Sequence, residues 1–180
     1  GGINFMRGAR DALQAASHLA KFDYVDKLRI AHAGYSWGAM VSLALSGKTW
    51  ADALGDGTRF AAAVSFYPGC MTITPASGRT YELINPDIDK PLLVLMGELD
   101  NETPPSDCVP KLEAINSAGG SVEWHVYPQT THCWDCKNLH NFTKVDVRNN
   151  RVTYIYSSTV TENSEQRMFE FLEKAMAHKP

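Results

Sequence analysis

The period of apolar and polar positions changes several times along the chain, and each change marks an element. Phe5, Met6, Ala9, Leu13, Ala16, Leu19 and Ala20 recur at helical spacing, which predicts an amphipathic helix over residues 4–21. A polar connector, residues 23–27, leads to an apolar run at 28–33 that reads as a strand stopping at Gly34. Residues 39–45 read as the helix that follows, ended by Gly47 as a C′ residue. Residues 50–59 read as a short helical or irregular connection. Residues 60–67 form a second buried strand, stopped by Pro68-Gly69, and 70–90 are loop-like. Residues 91–97 are apolar on both faces, as strands of a parallel sheet are. A loop at 98–105 precedes a helix over 107–118, which tolerates Pro110 in its first turn and ends at Gly119-Gly120. Residues 122–127 alternate as a strand. Asn149-Asn150, set between the β-type runs 143–148 and 151–156, predicts a type I′ hairpin. Thr159-x-x-Glu162 has the form of a capping box for a last helix that puts Met168, Phe171, Leu172 and Ala175 on one face.

Strands separated by helical crossovers predict an α/β fold, a mostly parallel sheet flanked by helices, with a β-hairpin excursion near 143–156. The 180 residues, 44% hydrophobic, suit one domain over 1–180 with a single core. A net charge of −3 gives no electrostatic case for nucleic acid or an anionic membrane as partner. No apolar run approaches the ~20 residues of a membrane span, so the chain reads as soluble. Cys70, Cys108, Cys133 and Cys136 permit two disulfides that a domain of this size does not need. Compartment stays open, with the cytoplasm ahead of periplasm or secretion.

The candidate chemistry begins at Gly34-Tyr35-Ser36-Trp37-Gly38. Gly-x-Ser-x-Gly between a strand and a helix is the nucleophile-elbow pattern, in which a sharp turn pushes the serine hydroxyl clear of the backbone. The same turn aims the Trp37 N–H at the carbonyl under attack, as an oxyanion donor. A serine needs a base, and the base a carboxylate to orient it. In open parallel sheets such groups gather at the C-terminal strand ends. His132 lies five residues past the strand ending at Tyr127, and Asp100 four past Met96. The other histidines are worse placed: His18 and His178 on helices, His32 and His125 within strands, His140 further along the excursion. Glu98 and Glu102 are rival carboxylates, and Glu98 comes too soon after its strand. Asp135 reads as a solvated neighbour of His132. Tyr35, Tyr67, Glu98 and Trp134 are the candidate pocket residues. His132-Cys133-x-x-Cys136-x-x-x-His140 has zinc-ligating residue types, but the cluster is shorter than usual zinc spacings. A local Cys133–Cys136 disulfide or two free thiols fits better, and Cys70 can also pair with Cys108. No metal or cofactor is expected.

Residues 34–38, Phe66-Tyr67-Pro68-Gly69, the block 91–100 and Tyr127-Pro128 leading to His132 resemble the dienelactone hydrolase family of α/β-hydrolases. The resemblance implies Ser36 as nucleophile, Asp100 as acid and His132 as base. It implies a serine hydrolase that cleaves a small carboxylic ester or lactone through an acyl-enzyme. The alternative is a non-catalytic binding domain of the same fold with a disabled oxyanion hole. Two departures stand out. The namesake enzymes use cysteine where this chain has Ser36, so dienelactone itself is not the expected substrate. The family also begins with strands this chain lacks, one of whose loops gives a second oxyanion donor, so the chain matches the C-terminal two-thirds of that fold. The edge running from Leu28 to Ala33 is therefore expected to be covered by a missing N-terminal segment or by a homo-oligomer partner.

Overall fold

A helix with its apolar stripe inward opens the computed structural model, which describes residues 4–74, 78 and 80–177. In chain order the elements are α1 (Phe5–Leu19), β1 (His32–Tyr35), α2 (Trp37–Ser46), α3 (Lys48–Leu54) and β2 (Ala63–Phe66). There follow β3 (Thr72–Ile73), β4 (Tyr81–Glu82), β5 (Leu92–Gly97), α4 (Pro105–Ser117) and β6 (Val122–Tyr127). A 3-10 turn (Lys137–Leu139), β7 (Thr143–Val145), β8 (Arg151–Thr153) and α5 (Ser158–Ala175) complete the chain. His178 lies outside the described residues.

The main sheet has the order β1-β2-β5-β6, every pair parallel. One row crosses it in register, Gly34 beside Ser65, Ser65 beside Val94 and Val94 beside Trp124, so all four strands end on the same side. Alternation along β5 explains why this strand is apolar throughout. Leu93 and Leu95 pack with Val64, Phe66 and Phe171 of α5, whereas Leu92, Val94 and Met96 pack with Leu43 of α2 and Leu112 of α4. Helices thus cover both faces, and all six β5 residues are buried. Phe5, Ala9, Leu13 and Ala16 seat α1 against α2 and α3.

Several boundaries differ from the sequence expectation, each for a local reason. The first strand begins at His32 because Asp26 captures the preceding residues in a turn. Its carboxylate accepts the Leu28 N–H at 3.0 Å and its carbonyl the Arg29 N–H at 2.9 Å, leaving Leu28 78% exposed. Gly47 ends α2 in an extended conformation rather than a left-handed one. A Cβ there would lie 2.7 Å from the Asp87 carboxylate, whose side chain would have to shift. The segment 70–90 is not all loop: β3 and β4 pair antiparallel. Pro105 starts α4 two residues early, which puts Pro110 inside the helix, past its first turn. The excursion is not a two-residue type I′ hairpin, since Val145 pairs with Arg151 across a loop of 146–150. Asp146 organises that loop by accepting the Arg148 and Asn150 N–H groups, and only Asn149 takes positive φ. Ser157, not Thr159, caps α5, its hydroxyl accepting the Val160 N–H.

β1 is an edge strand of the sheet. His32 and Ser36 donate their N–H groups to Ala62 and Phe66 of the β2 segment. By the alternation of a parallel ladder, Ala33 and Tyr35 turn theirs outward, where among the described residues no strand meets them.

Candidate active site

The turn from β1 into α2 gives Ser36 φ 49° and ψ −113°, a strained conformation for a residue with a side chain. Its N–H is spent on the Phe66 carbonyl at 2.9 Å, and its hydroxyl, although at the N-cap, makes no capping bond. The hydroxyl instead meets His132 Nε2 at 2.9 Å. Trp37 is the first residue of α2, where an N–H has no intrahelical acceptor. Its indole is fixed behind the turn, edge-on to Phe5 and against the Cα of Gly8.

Asp100 and His132 come together because the loops after β5 and β6 are laced to each other. Tyr127 and Thr130 carbonyls accept the Glu98 and Leu99 N–H groups at 2.9 and 2.8 Å. The Glu98 carboxylate accepts the Gln129 N–H at 2.9 Å. A Cβ on Gly97 would lie 2.4 Å from the Thr130 carbonyl oxygen, so this approach requires glycine. The imidazole is 2% exposed, and its Nδ1 stands 2.7 Å from Asp100 Oδ2. Asp100 is fully engaged: Oδ1 accepts the N–H groups of Glu102 and Thr103, each at 2.9 Å, while Oδ2 lies 2.8 Å from the Thr103 hydroxyl. That hydroxyl has one proton to place between Asp100 Oδ2 and the Tyr67 carbonyl, 3.0 Å away. Ser36, His132 and Asp100 thus form one unbroken relay.

The candidate pocket residues do not share one role. Tyr35 is 43% exposed on the outer strand and stacks on Phe66. Tyr67, also at positive φ, is buried with its ring 4.5 Å from His132, and its hydroxyl donates to Asp135 at 2.7 Å. Asp135 is therefore half-buried and partnered, not the solvated neighbour expected. Burial, with the Asp135 charge behind it, pushes the Tyr67 hydroxyl well above its ordinary value. Glu98 laces loops. Trp134 is a correction: it is fully buried in the core under α5, its indole N–H reaching Ser164 at 3.3 Å. It anchors the His132 loop instead of lining an open pocket. His32 is a packed residue, its Nδ1 2.6 Å from the Ser42 hydroxyl, and burial holds it below the ordinary histidine value.

The cysteines pair as Cys70–Cys108 and Cys133–Cys136. Ligand atoms of Cys133, Asp135 and Cys136 lie within 4.8 Å of one another. With both sulfurs joined covalently and Asp135 on Tyr67, this set fits a disulfide and not a metal ion.

Sequence reasoning passed over Thr103, Lys144 and Tyr154, and named Glu102 only as a rival to Asp100. An Asp followed three residues later by Thr is a turn signal that points to Thr103. Lys144 and Tyr154 reach the site only through the tertiary placement of the excursion.

Residues 4–176 match the family model described as the dienelactone hydrolase family. No curated protein matches the sequence. Among solved structures, a Klebsiella pneumoniae protein assigned as a dienelactone hydrolase is 20% identical, with a TM-score of 0.66 over 90% of this chain and 58% of its own. The α/β hydrolase MGS-M1, from a deep-sea metagenome library of the Medee basin, is 18% identical, with a TM-score of 0.65 over 93% of this chain and 62% of its own. Esterase 2 of Thermogutta terrifontis, in a form phosphorylated by paraoxon, is 16% identical, with a TM-score of 0.68 over all of this chain and 68% of its own. At these identities the likeness is one of fold. The chain spans about three-fifths of the length of the first two.

Proposed function

The chain belongs to the dienelactone hydrolase family, and from that premise we propose that it is a serine hydrolase of small carboxylic esters or lactones. The observation that carries the reading is the relay from Ser36 Oγ to His132 Nε2, at 2.9 Å, and from His132 Nδ1 to Asp100, at 2.7 Å. As Ser36 Oγ attacks the ester carbonyl carbon, His132 Nε2 takes the hydroxyl proton. The Trp37 N–H stabilises the oxyanion of the tetrahedral intermediate. When that intermediate collapses, the C–O bond to the alcohol breaks and His132 returns the proton to the leaving oxygen. Water then attacks the acyl-serine with the same base, releasing the acid and restoring Ser36. Asp100 holds the Nδ1–H tautomer and offsets the imidazolium charge. These steps call for no cofactor. That paraoxon phosphorylates a structurally similar esterase supports the reading, because an activated serine has this reactivity. The two disulfides favour an oxidising compartment over the cytoplasm.

A fluorophosphonate probe tests the proposal. Labelling is expected at Ser36 and is expected to vanish in Ser36→Ala, together with turnover of short p-nitrophenyl esters. Asp100→Asn should lower turnover roughly ten-thousand-fold, since the amide favours the wrong imidazole tautomer. Near-normal turnover by Ser36→Ala overturns the nucleophile assignment. An unlabelled, correctly folded wild type favours the binding-domain alternative.

A further inference from the structure

His132 Nε2 faces two oxygens, and the mechanism above uses one. The first is Ser36 Oγ at 2.9 Å; the second is Glu102 Oε2 at 4.0 Å. Glu102 is not a loose surface acid. Its Oε1 accepts from Lys144 Nζ at 2.8 Å and its Oε2 from the Tyr154 hydroxyl at 2.7 Å, leaving the side chain 19% exposed. Lys144 is on β7 and Tyr154 directly follows β8, so the hairpin excursion clamps an acid of the β5–α4 loop against the catalytic ring. Burial works to raise the Glu102 carboxyl. The hydrogen bonds from Lys144 and Tyr154 and the nearby positive charges outweigh it and hold the group below its ordinary value. Glu102 is therefore an anion wherever a histidine changes charge.

The 4.0 Å separation is chemically apt. It is too long for a hydrogen bond, so Glu102 does not compete with the leaving oxygen for the Nε2 proton. It is short enough for a substantial charge interaction in a site shielded from water. The other groups facing the ring are Asp100 and Thr103 from the acid loop, Ser36 from the elbow, Tyr67 after β2 and Tyr154 after β8. Asp135, on the ring's own loop, is engaged by Tyr67. Burial, first among its causes, keeps each tyrosine hydroxyl above its ordinary value and hence neutral. Lys144 is the cation that tempers Glu102. Resting on the reading of His132 as the base, we propose that Glu102 is a positioning residue for it: a second carboxylate that favours the imidazolium from the serine side, with its strength set by Lys144.

The test is an NMR titration of the His132 ring in the intact chain, for wild type, Glu102→Gln and Lys144→Met. Removing the anion makes the protonated ring less favourable, so the Glu102→Gln midpoint should fall below that of wild type. Removing the cation leaves Glu102 uncompensated, so the Lys144→Met midpoint should rise. A purely structural role gives no such opposed pair. Midpoints that stay put, or move in the same direction, overturn the proposal. Fluorophosphonate labelling of Ser36 against pH should show acid limbs displaced in the same order, and limbs that ignore the midpoints also overturn it. Absence of labelling at every pH counts against the hydrolase reading, while the ring titration still decides the role of Glu102.

Discussion

A methyl group at Gly34 would lie 2.2 Å from the Gly38 carbonyl oxygen and 2.7 Å from the Ala39 nitrogen, both backbone atoms that cannot swing aside. At Gly38 the same methyl meets nothing within 4 Å. The two glycines of the elbow are therefore not equivalent: one is needed for the close approach, and the other supplies the carbonyl that is approached. Gly34→Ala should destabilise the fold by about 1–3 kcal/mol through overpacking and abolish Ser36 labelling. Gly38→Ala should leave the urea midpoint unchanged or slightly raised, because alanine favours the helix. Equal losses for both variants would refute this division. Ser36, Asp100 and His132 were legible as a set because each follows the C-terminal end of a strand, and a parallel sheet puts those ends on one side. Thr103 and Glu102 were visible as residues but not as partners. What they touch depends on how the acid loop folds back on itself and on where the excursion lands.

At the scale of elements, periodicity located α1, α2, β5 and β6 because each is long enough to repeat its pattern. It failed where one side chain redirects the backbone, as Asp26 does before β1, Asp146 within the hairpin loop and Ser157 before α5. It failed also where strands are two residues long, as β3 and β4 are. The disulfides act on this scale and unequally. Cys70–Cys108 spans 38 residues and ties the segment after β2 to α4, whereas Cys133–Cys136 spans 3 within the His132 loop. Loop-closure entropy gives the first about 4 kcal/mol and the second roughly half of that. Cys70→Ser/Cys108→Ser should therefore lower the urea midpoint more than Cys133→Ser/Cys136→Ser. The second pair should act chiefly on Ser36 labelling, through the loop that carries the base. A reversed order of the two midpoints would contradict the entropic account.

On the scale of the whole molecule, an unpaired edge of the main sheet among the described residues lies beside the proposed nucleophile. β1 spends one side of its ladder on β2 and turns Ala33 and Tyr35 outward, next to side chains of Tyr35 and Trp37 that remain 43% and 44% exposed. Unpaired edges of this kind recruit further strands. Tyr35 immediately precedes Ser36, so pairing at β1 takes place next to the elbow. We propose that this edge pairs with β1 of a second copy of the chain. The expected outcome is self-association through β1. Sedimentation should show a dimer or larger species, and amide exchange at Ala33 and Tyr35 should slow as concentration rises. Ala33→Pro should return the chain to a monomer and restore fast exchange at Tyr35, since it removes an outward donor without touching the inner ladder. A concentration-independent monomer whose Ala33 and Tyr35 amides exchange freely would overturn the proposal.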